Sequence, residues 1–130
     1  MSRLLCVLLV TAGILAAGCS PSPEAKAKTN VTKFLAKRLN DPESYKGGAW
    51  GELTAVEGCP NVKHYIQHEY RAKNQFGGYV ATSDYFLLED DLEVFSEMSQ
   101  KDMETVRKLD HFKSASMGEI VRRFVDTQKE

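Results

Sequence analysis

The sequence predicts an α+β domain: an N-terminal helix, a three- to four-stranded antiparallel meander, and one or two C-terminal helices packed on one sheet face. Three observations predict it. Apolar residues recur at helical spacing before residue 40 and again after residue 100. Between those stretches apolar and polar residues alternate, the period of a half-buried antiparallel strand. Gly, Asn, Pro and Asp cluster between the periodic segments, where the chain must turn. Helix, strands and helices in that order pack as layers around one core. The chain shows no internal repeat.

The first helix covers Glu24 to Leu39, and Ser22-Pro23 is suited to start it. Val31, Phe34, Leu35 and Leu39 share one face, while Lys26, Lys28, Lys33 and Lys37 take the others. Asn40-Asp41-Pro42 ends it, because proline disfavours helical geometry in the residue before it. Glu43 to Gly48 reads as irregular. The strands follow. Ala49 to Glu57 is the first and weakest, and Val62 to Lys73 is the clearest. There Ile66, His68, Tyr70 and Ala72 alternate with Gln67, Glu69, Arg71 and Lys73. Asn74 to Gly78 turns the chain into Tyr79–Leu88, and Glu89-Asp90-Asp91 turns it into a short strand, Leu92–Phe95. Ser99 stands three before Asp102 as a cap for a helix whose inward residues are Met103, Val106 and Leu109. A break near Lys113–Ser116 precedes a last helix. Ser116 and Glu119 form its capping box, and Met117, Ile120, Val121 and Phe124 its apolar stripe.

Ahead of this domain lies a segment of another kind. Arg3 is followed by an uncharged, Leu-, Val- and Ala-rich run from Leu4 to Gly18. A short positive start, an apolar stretch and small residues before a cut make a secretory signal peptide. A spanning helix needs about 20 residues, so the run is too short for one. The stretch Leu15-Ala16-Ala17-Gly18-Cys19 resembles the lipobox of bacterial lipoproteins, with Ala16 where a branched residue is usual and Leu15 one place earlier. The resemblance implies a diacylglycerol on the Cys19 sulfur, removal of residues 1–18, and acylation of the new amino group. By the same resemblance, Ser20 directs the product to the periplasmic face of the outer membrane. The expected organisation is signal peptide 1–18, lipidated tether 19–24 and a single domain 25–130.

About 110 residues remain after cleavage, enough for one domain with a modest core. With 17 Lys plus Arg against 18 Asp plus Glu, the chain has no general basic excess that would draw it to nucleic acid. Of three cysteines, Cys6 leaves with the signal and Cys19 carries lipid. Cys59 is left without an internal partner, in a turn-like Gly58-Cys59-Pro60, and is expected to be buried or merely tolerated. His64 and His68, followed by Glu69, have the four-residue spacing of helical metal ligands. On a strand that spacing separates them by about 13 Å, too far for one zinc ion. The expectation is therefore no metal and no cofactor, with His68 on the core face. His111 stands alone. Glu89-Asp90-Asp91 lacks the alternate carboxylates and glycine of a calcium loop. No phosphate loop or nucleophile elbow is present and nothing nominates a catalytic carboxylate pair, so no enzymatic activity is expected, an uncharacterised hydrolase being the lesser alternative.

The stretch Tyr65 to Tyr79 and the upstream Asp41-Pro42-Glu43-Ser44 are the most distinctive of the domain. Together they resemble a set of small exported bacterial proteins without assigned function. Those combine an Asp-Pro-x-Ser turn with a Tyr-Arg-Ala-Lys-Asn-x-Phe-Gly-Gly hairpin, over roughly residues 31–90 here. Gly77, Gly78 and Asn74 suit the turn, and Phe76 is expected to fold back over the hairpin end. Arg71 and Lys73 project from one strand face about 7 Å apart. With Asn74 they are the candidate ligand-binding residues, for a carboxylate or phosphate of a small anion or cell-wall fragment. Pairing with Glu69, Glu52 or Glu57 is the competing role. The expected function is a membrane-anchored envelope lipoprotein acting as a non-enzymatic binding module. Its expected partner is an envelope protein or cell-wall component, met through Tyr65, Tyr79 or Trp50 or through a sheet face left free of helices.

Overall fold

The computed structural model describes residues 18–108 and 115–129. Helix α1 spans Pro23–Arg38. The Ser22 hydroxyl accepts from the Ala25 amide, Pro23 needs no amide partner at the first helical position, and Glu24 favours the positive N-terminal end. The helix therefore takes in Pro23 and Glu24, the last two residues of the expected tether. A single 3-10 turn, Pro42–Ser44, leads into β1, Lys46–Trp50. The remaining strands are β2 (Thr54–Ala55), β3 (His64–Lys73), β4 (Tyr79–Leu88) and β5 (Val94–Ser99). Helix α2, Gln100–Lys108, follows β5 directly, and α3 spans Met117–Thr127.

The five strands form one antiparallel sheet in the order β1-β3-β4-β5, with β2 also paired to β3. The single strand expected over Ala49–Glu57 is thus two short ones. Both pair with β3, and the register slips between Gly47 and Trp50. Glycines at 47, 48 and 51 supply no side chains to hold a regular edge. The fourth strand begins later and runs longer than expected, because Glu89–Glu93 closes the turn. There Leu92 takes a positive φ of 68°, and its amide donates to the Glu89 carbonyl at 3.1 Å.

Parity along β4 assigns the two cores. Phe86 and Leu88 face α1, where they are buried with Ala27, Val31, Leu35, Ile66 and Tyr70. Leu87 faces the other way, buried with Met98, Met103, Val106, Ile120, Val121 and Phe124 of the C-terminal pair. The two C-terminal helices share one sheet face, as expected. The opposite face, expected to be free, is covered by α1. Cys59 is 3 % exposed in the core beneath α3, and Cys19 is exposed at the start of the described chain. Both predicted caps form. Ser99 and Asp102 bond reciprocally, the hydroxyl accepting from the Asp102 amide at 3.1 Å while the carboxylate accepts from the Ser99 amide at 3.1 Å. Ser116 and Glu119 make a full capping box. Leu109, His111 and Lys113 lie outside the described residues.

Candidate functional site

The helices leave half of one sheet face uncovered. On the α2–α3 face, Tyr65, Tyr85 and Leu87 pack beneath the helices. Further along the β3–β4 ladder on the same face come Glu69, Ser83, Arg71, Ala81, Lys73 and Tyr79. Glu69, Arg71, Ala81 and Tyr79 are exposed. Lys46 of β1 stands directly across from Arg71, and Lys73 directly across from Tyr79. The Lys46 ammonium lies 4.7 Å from the centre of the Tyr79 ring, and the Lys73 ammonium 5.6 Å from it. Two ammonium groups thus flank one aromatic ring, and Arg71 stands across from one of them on the same face.

None of the three forms an ion pair among the described residues, whose ion pairs are Lys28–Glu24, Arg38–Glu97 and Lys129–Asp126. The tyrosine ring offsets part of the repulsion between the two ammonium groups, by about 0.5–1 kcal/mol for each exposed contact. An arriving anion would offset the rest. A shallow cavity of about 370 Å³ lies beside them, lined by Lys46, Gly48, Glu69, Arg71, Thr82 and Ser83. Gly48 is required by close approach: a Cβ there would sit 2.8 Å from the Glu69 carbonyl oxygen. The small residue lets β1 lie close to β3 and so holds Lys46 beside Arg71.

The hairpin beyond this patch is tightly built. The Asn74 side-chain oxygen accepts from the amides of Phe76 at 2.9 Å and Gly78 at 3.1 Å. The Asn74 amide donates to the Gly78 carbonyl at 2.9 Å, and the Gly77 amide to the Asn74 carbonyl at 3.0 Å. Gly77 takes a φ of 81°, which a glycine adopts without strain. Asn74 thus organises the turn next to the cations. Phe76 does not fold back as expected; it is 85 % exposed.

The face beneath α1 carries a second polar group, whose members pair with one another or with backbone, save that Glu97 Oε2 is buried with no partner among the described residues. His68 is fully buried and stacks on Trp50, with ring centres 3.5 Å apart and planes within 10°. Its Nδ1 donates to the Ala49 carbonyl at 3.1 Å, which leaves Nε2 to accept from the Tyr45 hydroxyl at 2.7 Å. That pattern fixes the neutral ring, and burial lowers its pKa further. The Tyr70 hydroxyl donates to Asp84 Oδ2 at 3.2 Å. Burial, then the nearby Glu97 charge, pushes the Asp84 carboxyl up to about 6. Burial and the Asp84 charge push the Tyr70 phenol above its usual range. Glu97 pairs with Arg38 at 3.2 Å.

Arg71 and Lys73 therefore share one accessible face, with Asn74 at its margin. Tyr79 belongs to that face. Trp50 is committed to His68, and Tyr65 packs against Tyr85. His64 and His68 do not converge, and no group of three His, Cys, Asp or Glu able to hold a metal ion occurs among the described residues. Sequence reasoning missed Lys46, because Glu43–Gly48 read as irregular and Lys46 was never placed opposite Arg71. It also missed the Asp84–Tyr70 pair, whose only trace is a charged residue at a core-parity position of β4. Searches against protein-family models, curated proteins and solved structures find no match to this chain.

Proposed function

We propose that this chain is a lipid-anchored, non-enzymatic binding module of the bacterial cell envelope that docks an anionic component on the Lys46–Arg71–Lys73 face. One observation carries the reading: Lys46 and Lys73 flank Tyr79, Arg71 stands across from Lys46, and none of the three has an ion-pair partner among the described residues, on the half of the sheet that the helices leave uncovered. Arg71 supplies a planar fork for phosphate or carboxylate, and the two lysines supply mobile point charges beside it. The anchor rests on the sequence. Cys19 follows the small residues Ala16-Ala17-Gly18 and stands three residues before Ser22, the cap of α1. With so short a tether, α1 sits close to the membrane surface, which by the Ser20 resemblance is the periplasmic face of the outer membrane.

Isothermal titration of the purified chain with inorganic tripolyphosphate at low salt tests the site. The triple variant Lys46→Gln, Arg71→Gln, Lys73→Gln should bind at least tenfold more weakly, and raised salt should weaken the parent in the same direction. Equal affinity of the two proteins ends the proposal. Separately, a Cys19→Ala chain should leave the membrane fraction of expressing cells; its retention there refutes the anchor.

A further inference from the structure

The hairpin tip carries apolar surface beside the cations. Of the four large hydrophobic side chains exposed among the described residues, three sit in this hairpin: Phe76 at 85 %, Tyr79 at 49 % and Val80 at 46 %. Phe76 stands at the apex; behind it Lys73 and Lys46 flank Tyr79, and Arg71 stands across from Lys46. Four hydrogen bonds within Asn74–Gly78 hold the apex in shape, so Phe76 is presented outward by an ordered turn.

We infer that this hairpin is a membrane-contacting tip, which inserts Phe76 into the headgroup–acyl boundary of a bilayer while Lys46, Arg71 and Lys73 engage anionic phospholipid headgroups. The inference rests on the proposed anion-docking face and names its partner. Three features favour a bilayer over a protein. The apolar surface is three side chains at and near an apex, far short of the roughly 800 Å² per partner that a standard protein interface buries. A bilayer asks for no shape complementarity, only apolar depth and surface charge. The side chains suit its layers: a phenylalanine at the tip, a tyrosine at the level where aromatic rings sit, and lysines and an arginine whose stems keep their charges among the phosphates. The turn is already ordered, so binding sacrifices little conformational freedom. An acyl-anchored chain would thereby gain a second contact that sets the domain's orientation, or a contact with an apposed bilayer.

The test uses the chain carrying Cys19→Ser, which cannot be acylated. Its co-sedimentation is measured with vesicles of phosphatidylethanolamine and phosphatidylglycerol, and with vesicles of phosphatidylcholine alone. Binding is expected to the anionic vesicles and to fall with added salt. Each cation is expected to contribute about fivefold, so the triple glutamine variant should lose on the order of a hundredfold. Phe76→Asp, at a position touching no core residue, should weaken binding at least tenfold without lowering the melting temperature. Phe76→Trp should bind like the parent and show blue-shifted emission only with anionic vesicles. Absence of vesicle binding, or equal binding by Phe76→Asp, overturns the inference. Tripolyphosphate titration separates the two claims. If its affinity still depends on the three cations, the anion-docking face stands without the membrane; if that dependence is absent too, both fall.

Discussion

Asp84 is 5 % exposed under α1, and among the described residues Tyr70 is the one side chain that donates to it. Its carboxyl is raised to about 6 from an ordinary value near 3.8, first by burial and then by the Glu97 charge. The folded protein therefore holds a proton at Asp84 over a range where the unfolded chain has lost it. Stability from this residue is greatest below the unfolded value, declines as pH rises from about 4 to about 6, and is absent above that. A two-unit shift corresponds to about 3 kcal/mol at most. His68 acts in the opposite sense. Its folded pKa is lowered, so protonation of the unfolded chain costs stability as pH falls below about 6.5. The two slopes overlap, and the variant separates them. Asp84→Asn keeps an acceptor for the Tyr70 hydroxyl but cannot ionise. Its stability relative to the parent, from urea melts, should rise between pH 4 and 6 and reach about 1–3 kcal/mol in its favour at pH 7. A constant difference across that range shows that Asp84 titrates normally.

At the scale of elements, legibility followed the strength of the local pattern. The clean alternation from Ile66 to Lys73 located β3 and its buried face, and both capping pairs marked their helices because each uses a side chain a fixed three residues away. The β1 edge was hidden because its middle is Gly47-Gly48, which has no periodicity to read. Its place is set by close approach to Glu69, a contact between segments about twenty residues apart. The cationic face was half legible for the same reason: Arg71 and Lys73 share a strand, whereas Lys46 joins them only through cross-strand register. Phe76 went astray because burial is the usual fate of a phenylalanine, and only the built turn shows it facing outward. That turn depends on Asn74, whose side-chain oxygen serves two amides. Asn74→Ala should therefore destabilise the protein by about 1–2 kcal/mol, the order expected for losing a side-chain cap. It should also weaken tripolyphosphate binding by less than the triple cation variant does, since it removes organisation rather than charge. Thermal melts and the same titration measure both. A loss of affinity equal to the triple variant's would make Asn74 a ligand residue in its own right.

The whole molecule is a single sheet shared by two cores. Consecutive residues of β4 serve opposite sides, Phe86 toward α1 and Leu87 toward α2–α3, and both are fully buried. Neither core stands alone, because each uses the other's strands as its floor. The sheet face left bare at the Tyr79 end can afford to be polar for the same reason: the buried halves on both sides already hold β3 and β4 together over His64–His68. Leu35 lies in one core at 1 % exposure and Ile120 in the other at 0 %. Truncating either to alanine removes buried methyl groups and leaves a cavity, at a cost of about 2–5 kcal/mol. If the sheet couples the cores, each variant should unfold in one transition, with near- and far-ultraviolet circular dichroism coincident and the denaturant slope unchanged. Amides of β3 and β4 should lose hydrogen-exchange protection by the full stability difference in both variants. Should Ile120→Ala release α2 and α3 while β3 and β4 keep the parent's protection, the helices on that face are a separate layer. The uncovered anion-docking half would then grow whenever they detach.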